Sequence, residues 1–392
     1  MLRQICFALS LCSIQFQVRV EAQTLEWRVD LGTTNGNVNQ LYVADDYIFA
    51  QGSQSMIRLD LETGAINQHV ELSLGSNQNQ KQKTSPTSPT SPNSSSSPTS
   101  MIAYEKKSTT HYLLSSYDNG DLVAVDTRFG DVMWSVHHIS SKPVIDWEYG
   151  VAVYMLTEAG KILAIDSMSG FLVWSIDVEG YTESDQLHLS LDNERLYVSS
   201  TDGQVQIYSA LDGSHLASPY FEGMDSSFLV GDFLYFYRDD TIMVYYVNER
   251  VEAPLWSSKE MGELVEVLPM DDGKHVLLIT STGLHKVKRW SGKCKWNFQP
   301  TMDIVSVTTE GDAVYVVLEL LEPTFLVKLD GKTGSKDWTF YVKGESIVGD
   351  VKVHDEFIYL LTSDETQASH LIKLDDSHSE MYQLQVGDLV YE

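Results

Sequence analysis

A unit of about forty residues recurs along the chain, and that recurrence limits the folds open to it more than any other feature. In the segments Val123 to Trp134 and Leu163 to Trp174, an apolar strand ends at Asp126 or Asp166. A glycine follows at Gly130 or Gly170, and a tryptophan comes four residues later at Trp134 or Trp174. The same template is carried by Ile57 to Gly64 with its Asp60, by Gln206 to Gly213, and by Lys288 to Trp296 with Gly292. It returns in Val327 to Trp338 with Asp330 and Gly334. Two weaker copies, one reaching Trp256 and one running from Ile372 to Tyr382, lack the glycine. The glycines, or the residues in their place, stand at 64, 130, 170, 213, 252, 292, 334 and 378. After the first gap the intervals are 40, 43, 39, 40, 42 and 44. The first gap, 66 residues, contains a run of Gln, Asn, Lys, Ser, Thr and Pro over 76–100, which cannot bury enough apolar surface to order itself.

The chemistry of the unit is local. The Asp carboxylate accepts from backbone N–H groups of the turn, and Gly supplies the positive φ that reverses the chain. The tryptophan that follows has the flat shape to wedge between neighbouring sheets, so Trp134, Trp174, Trp256, Trp296 and Trp338 read as structural and not as ligand platforms. Between these hairpins lie further strands, such as Leu196-Tyr197-Val198 and Val314-Tyr315-Val316, and no helical period. Four strands per forty residues predict an all-β chain, a single eight-bladed β-propeller over 23–392, with seven blades as the alternative because two copies are weak. Leu25-Glu26-Trp27-Arg28 resembles the strand after a glycine but has no repeat before it. A ring must cover its last sheet edge, so this strand is expected to pair with the last blade or to extend the first.

Residues 1–22 have the charge, short apolar core and small residues of a cleavable secretory segment. Nothing after them approaches the ~20 apolar residues of a membrane-spanning helix. Cys6 and Cys12 fall in that segment, which leaves Cys294 alone and excludes an internal disulfide framework; Cys294 reads as a small buried hydrophobe. A formal charge of -28 argues against nucleic acid as a partner.

Catalytic chemistry finds no purchase in the sequence. There is no Gly-x-Ser-x-Gly nucleophile motif, no Asp-x-Asp-x-Asp-Gly calcium loop and no clustered metal-ligand spacing, so no catalytic, cofactor or metal residue is assigned. His137 and His138 are consecutive and would point to opposite faces of a strand, unable to grip one ion together. Asp239-Asp240 and Asp271-Asp272 fall where hairpins should turn. Asn93-Ser94-Ser95 is a glycosylation sequon inside the polar insert.

The template Ala-aliphatic-Asp-x-x-Ser/Thr-Gly-x-x-x-Trp, carried best by residues 124–134 and 164–174, resembles the quinoprotein (PQQ)-like repeat family. That family includes quinone-dependent dehydrogenases and many non-catalytic propellers. The secretory segment, the opening Glu26-Trp27-Arg28 and the polar insert make the layout most similar to the N-terminal lumenal propellers of subunit 1 of the endoplasmic reticulum membrane protein complex. This resemblance implies a non-catalytic scaffold in the endoplasmic reticulum lumen, glycosylated at Asn93. Its implied partners are other subunits of a membrane complex and client membrane proteins during insertion and folding. An alternative branch is the bacterial outer-membrane assembly scaffold, an eight-bladed propeller that usually has a lipid-anchoring cysteine where this chain has Gln23. Another is the lumenal sensor domain of stress kinases. A dehydrogenase-like enzyme would need adjacent cysteines and a calcium cluster, and the sequence has neither.

Overall fold

The computed structural model describes the chain between residues 19 and 383 apart from 72–97 and several shorter loop segments. Among the described residues there is no helix; the backbone forms eight four-stranded antiparallel sheets and one two-stranded ribbon. In chain order, sheet 1 comprises Gln40–Val43, Tyr47–Gln51, Ser55–Asp60 and Ile66–Glu71. Sheet 2 comprises Pro98–Lys106, Thr110–Tyr117, Leu122–Asp126 and Val132–Val136. Sheet 3 comprises Val144–Ile145, Ala152–Leu156, Lys161–Asp166 and Leu172–Asp177. Sheet 4 spans Leu187–Asp192 to His215–Ala217, sheet 5 spans Ser226–Val230 to Trp256–Lys259, and sheet 6 spans Leu264–Pro269 to Cys294–Phe298. Sheet 7 spans Asp303–Glu310 to Lys336–Phe340.

Sheet 8 is assembled from both ends of the chain. Glu345–His354, Phe357–Asp364 and Ser369–Asp375 supply three strands, and Leu25–Gly32 supplies the outermost one. The opening strand therefore closes the ring on the last sheet, as its orphan sequence suggested. Trp27 stands opposite Lys373, the same register in which Trp338 stands opposite Lys328 and Trp296 opposite Lys286. Beyond it, Arg19–Ala22, the last four residues of the stretch 1–22 expected to be cleaved, pairs with Glu380–Gln383, so the structure gives those four residues a place in a ribbon.

Middle strands are apolar on both faces because each sheet is covered on both sides. Ala152–Leu156 is buried along its whole length, and the central residues of His275–Thr280 likewise. Each seam between consecutive sheets holds its own hydrophobic cluster. Phe49 and Met56 meet Leu113 and Val123 between sheets 1 and 2, and Leu114 and Trp134 meet Val153 and Met155 between sheets 2 and 3. Tyr154 and Leu156 meet Leu196 and Tyr208; Tyr197 and Ile207 meet Leu234 and Phe236; Tyr235 and Trp256 meet Leu264 and Leu278. Leu277 and Trp296 meet Val314 and Leu329, and Tyr315 and Trp338 meet Ile358 and Ile372. Finally Tyr359 and Leu361 of sheet 8 meet Leu41 and Ile48 of sheet 1, so the series of seams returns to its start. The chain is a β-propeller.

Pro98–Lys106 is the end strand of sheet 2 opposite Val132–Val136, so residues 98–100, assigned to the polar insert by composition, belong to a sheet. Pairing with Thr110–Tyr117 outweighs their weak local preference. Gly130, Asn93, residues 1–18 and the remainder of the insert over 76–97 lie outside the described residues.

Candidate docking surface

The repeat residues act at the seams. Asp60 Oδ1 accepts from the amide and hydroxyl of Thr63, both at 2.8 Å, and Asp330 Oδ1 accepts the same pair from Thr333 at 2.7 and 2.8 Å. Asp166 is held likewise by Ser169. These bonds favour the ionised form: the Thr63 amide keeps Asp60, and the Ser169 hydroxyl keeps Asp166, below the ordinary carboxyl range. Asp126 ends its strand at the equivalent place, with its amide bonded to Asp131 O at 2.9 Å. Gly64, Gly170, Gly213, Gly292 and Gly334 all have positive φ, as the turn requires.

Trp134, Trp174, Trp256 and Trp296 each reach into the turn of the next sheet. The Trp134, Trp256 and Trp296 rings lie against the Cα of Gly170, Gly292 and Gly334, where a methyl group would meet ring carbons at 2.5 to 2.6 Å. Trp174 lies in the same way against Gly213. Their indole N–H groups donate to one equivalent carbonyl: Ser167 O at 2.9 Å, Ala210 O at 3.2 Å, Arg289 O at 2.7 Å and Gly331 O at 2.8 Å. Trp338 is buried in the seam between sheets 7 and 8.

A second set of staples was not anticipated. Tyr154 OH donates to Ala210 O at 3.1 Å, the carbonyl that Trp174 also uses. In sheet 6 Leu277 replaces the tyrosine, and the buried Lys286 across from it donates to Gly331 O at 2.9 Å. In sheet 7 Tyr315 and Lys328 converge on Asp376 Oδ2 at 2.8 and 2.5 Å. A lysine on a strand is normally read as solvent-facing; only its register opposite the tyrosine column reveals it.

Among the described residues, the reactive groups singled out in the sequence stand apart from one another. His137 binds Asp121 at 2.5 Å and His138 faces Glu158 at 3.5 Å, so the two rings engage different carboxylates. Asp239 and Asp240 both have positive φ and form the two-residue hairpin between Phe233–Arg238 and Thr241–Tyr246; Asp272 caps the turn before His275–Thr280. Among the described residues no three His, Cys, Asp or Glu side chains lie together in a metal-binding group, and no helix is long and apolar enough to cross a membrane. Cys294, expected in the core, is exposed. It sits on the outermost strand of sheet 6, two residues before Trp296 and across a bulge from it, and its thiol donates to Trp296 O at 3.2 Å. Partial burial raises its thiol above the ordinary value, against the opposing effect of its hydrogen bond with the Trp296 backbone.

What breaks the symmetry of the ring is its rim. On sheets 2 to 4 the outer strands and their turns expose Val132, Met168, Phe171, Leu172, Val173 and Leu211, with Phe171 77% and Leu172 59% exposed. On sheets 5 to 7 the outer strands carry Lys259, Lys295 and Lys336 instead. A run of three apolar residues on a strand with only one covered face must leave some in water, a signal available in the sequence once that strand is known to be outermost. A smaller aromatic group lies on the turn of sheet 6, where the exposed Trp290 packs 4.8 Å from Phe233 and 5.1 Å from Tyr246. Such surfaces suit protein contact and have no chemistry of their own.

Comparison with known proteins places this ring in a family. Residues 118–220 and 238–368, more than half of the chain, match the family model described as outer membrane protein assembly factor BamB. The BamB of Moranella endobia (strain PCIT) is 25% identical over 193 residues, which are 44% of this chain and 46% of that protein, so the match spans about half the relative's length. Among solved structures, BamB from Moraxella catarrhalis superposes with a TM-score of 0.58 over 90% of this chain and 100% of that one, at 14% identity. The computationally designed Ika8 protein gives 0.65 over 89% and 99%, at 13% identity; at these identities the likeness is one of fold. The expected setting in the endoplasmic reticulum lumen is overturned, because the matched family and the relatives are bacterial outer-membrane assembly factors. The features behind that expectation, Glu26-Trp27-Arg28 and a polar insert, are a closing strand and a segment between sheets, which any such ring can carry. The chain belongs to the family of the outer membrane protein assembly factor BamB, propellers built from PQQ-like repeats.

Proposed function

We propose that this chain is a non-catalytic, eight-bladed scaffold that holds together components of a machine assembling proteins into a bacterial outer membrane. The family match over residues 118–220 and 238–368 carries the reading. The geometry supports it: a ring in which tryptophan, tyrosine and lysine side chains bond across the seams, with an apolar rim on one arc. The partners on this reading are other subunits of the assembly complex and the outer-membrane proteins it handles. Expression of the chain in a Gram-negative strain lacking its own BamB tests this. Recovery of outer-membrane protein levels is the expected result; a folded, abundant chain that restores nothing would overturn the proposal.

A further inference from the structure

We propose that the outer edge of sheet 3, the strand Leu172–Asp177, accepts an extended segment of a partner protein that alternates apolar with small polar side chains and carries lysine or arginine at its ends. The inference rests on the scaffold reading and names what that scaffold would hold.

Leu172–Asp177 is the last strand of its sheet, and among the described residues no strand pairs with its outer side. Every sheet of a ring has such an edge, and exposed edges invite unwanted pairing unless they are short, charged or kinked. Most edges here are guarded. That of sheet 4 has three residues, His215–Ala217; that of sheet 5 has four and ends at Lys259; those of sheets 6 and 7 carry Lys295 and Lys336. The edges of sheets 1, 2 and 3 all have no lysine, arginine or proline. Among the described residues those of sheets 1 and 2 expose one large apolar side chain each, Ile66 and Val132, whereas that of sheet 3, six residues long with its first charge at the final Asp177 and a bulge at Val173, exposes more. Phe171, Leu172 and Val173 at its head are 77%, 59% and 53% exposed. Past the bulge at Val173 the strand runs regularly to Asp177, and an apolar edge without a basic side chain meets both demands of strand addition: open main-chain groups for affinity, and side-chain contacts for choice.

Charge selects the occupant. Around this arc the outer strands and turns of sheets 2 to 4 present Asp131, Asp166, Asp177 and Asp212, and Lys161 is already bound to Asp177 at 2.9 Å. Asp166 and Asp212 are fixed by turn hydrogen bonds from Ser169 and Ser214. An apolar strip fringed with carboxylates favours a segment with basic ends and repels one with acidic ends.

The test uses the full chain and a fluorescein-labelled peptide of alternating valine and threonine flanked by lysine pairs, with binding read by fluorescence anisotropy. Binding is expected, with Kd raised about tenfold or more by Leu172→Lys and, separately, by Val173→Lys, each variant checked for an unchanged melting temperature. Methylating alternate peptide amides, or replacing the lysines by glutamate, should weaken binding comparably. No binding, or binding indifferent to both variants and to amide methylation, overturns the proposal. If that happens while the wild-type chain still restores a BamB-deficient strain, the edge site falls and the scaffold reading stands. If the peptide behaves as expected but the chain restores nothing, the scaffold reading falls alone.

Discussion

A methyl group placed on Gly170 would lie 2.5 Å from the Trp134 ring, and the backbone there has φ +71. Both facts oppose alanine: the left-handed conformation costs roughly 1 to 2 kcal/mol, and forcing apart a packed seam costs about 1 to 3 kcal/mol. Gly170→Ala should therefore lose about 2 to 4 kcal/mol in urea unfolding. Gly311 also has positive φ, +54, but meets nothing within 4 Å, so Gly311→Ala should lose only about 1 kcal/mol. Equal losses would show that the tryptophan contact contributes nothing. Asp272 tests the turns through pH. Burial alone would raise its carboxyl, but the amides of Lys274 and His275 and the His275 ring outweigh burial and hold it at about 2. Because that lies below its ordinary 3.8, the stabilisation is complete above roughly pH 4 and is lost as pH falls toward 2. Asp272→Asn should lower the melting temperature at neutral pH and flatten the acid limb between those limits; an unchanged limb would refute the assignment. The Asp, Gly and Trp positions were legible because their roles are local or recur with the repeat. Lys286, Lys328 and the exposed Cys294 were not, because their surroundings depend on which sheet stands next and which strand lies outermost.

Among the elements, the closing strand Leu25–Gly32 was readable as a wedge-bearing strand without a repeat before it, and its pairing with Ser369–Asp375 follows from the need to cover an edge. Its electrostatic fastening was not readable, since Arg28 and Glu345 are 317 residues apart in sequence. Arg28 bonds Glu345, whose side chain is only 8% exposed, also accepts from Thr362 and faces His370 at 3.6 Å. Removing the guanidinium strands a buried carboxylate, and leaving such a group without its partner costs more than the pair contributes. Arg28→Ala should destabilise by roughly 1 to 3 kcal/mol, discounted because the arginine itself is 39% exposed. Glu345→Gln introduced into that variant should recover most of the loss. A double variant no more stable than Arg28→Ala alone would mean that the strand is held by its backbone ladder and apolar contacts only. The apolar edge of sheet 3 belongs to this scale too: Leu172 and Val173 were visible as the start of a strand, but their exposure and that of Phe171 became apparent only when that strand proved to be the rim.

For the whole molecule, the repeat spacing predicts a ring, and the eight seams explain what keeps it one. If each seam is closed by side chains and not by the chain running through it, the covalent connection between two neighbouring sheets is dispensable wherever the ends are joined elsewhere. The passage from Ile66–Glu71 to Pro98–Lys106 offers such a break, since the seam it serves holds Phe49, Met56, Leu113, Val123 and Val125 regardless. Arg19 stands opposite Gln383, so a short Gly-Ser linker can join those ends. A permuted chain that begins at Pro98, runs through this linker and ends at Glu71 makes the outer strand of sheet 8 continuous with its other three. Loop-closure entropy changes slowly with length, and the closure strand gains a covalent neighbour as the insert loses one. The permuted chain should therefore unfold in one cooperative transition, with a melting temperature within about 5 °C of the parent. Loss of cooperativity, or an early transition confined to sheets 1 and 2, would show that the ring depends on chain continuity at that seam and that its packing is weaker than at the other seven.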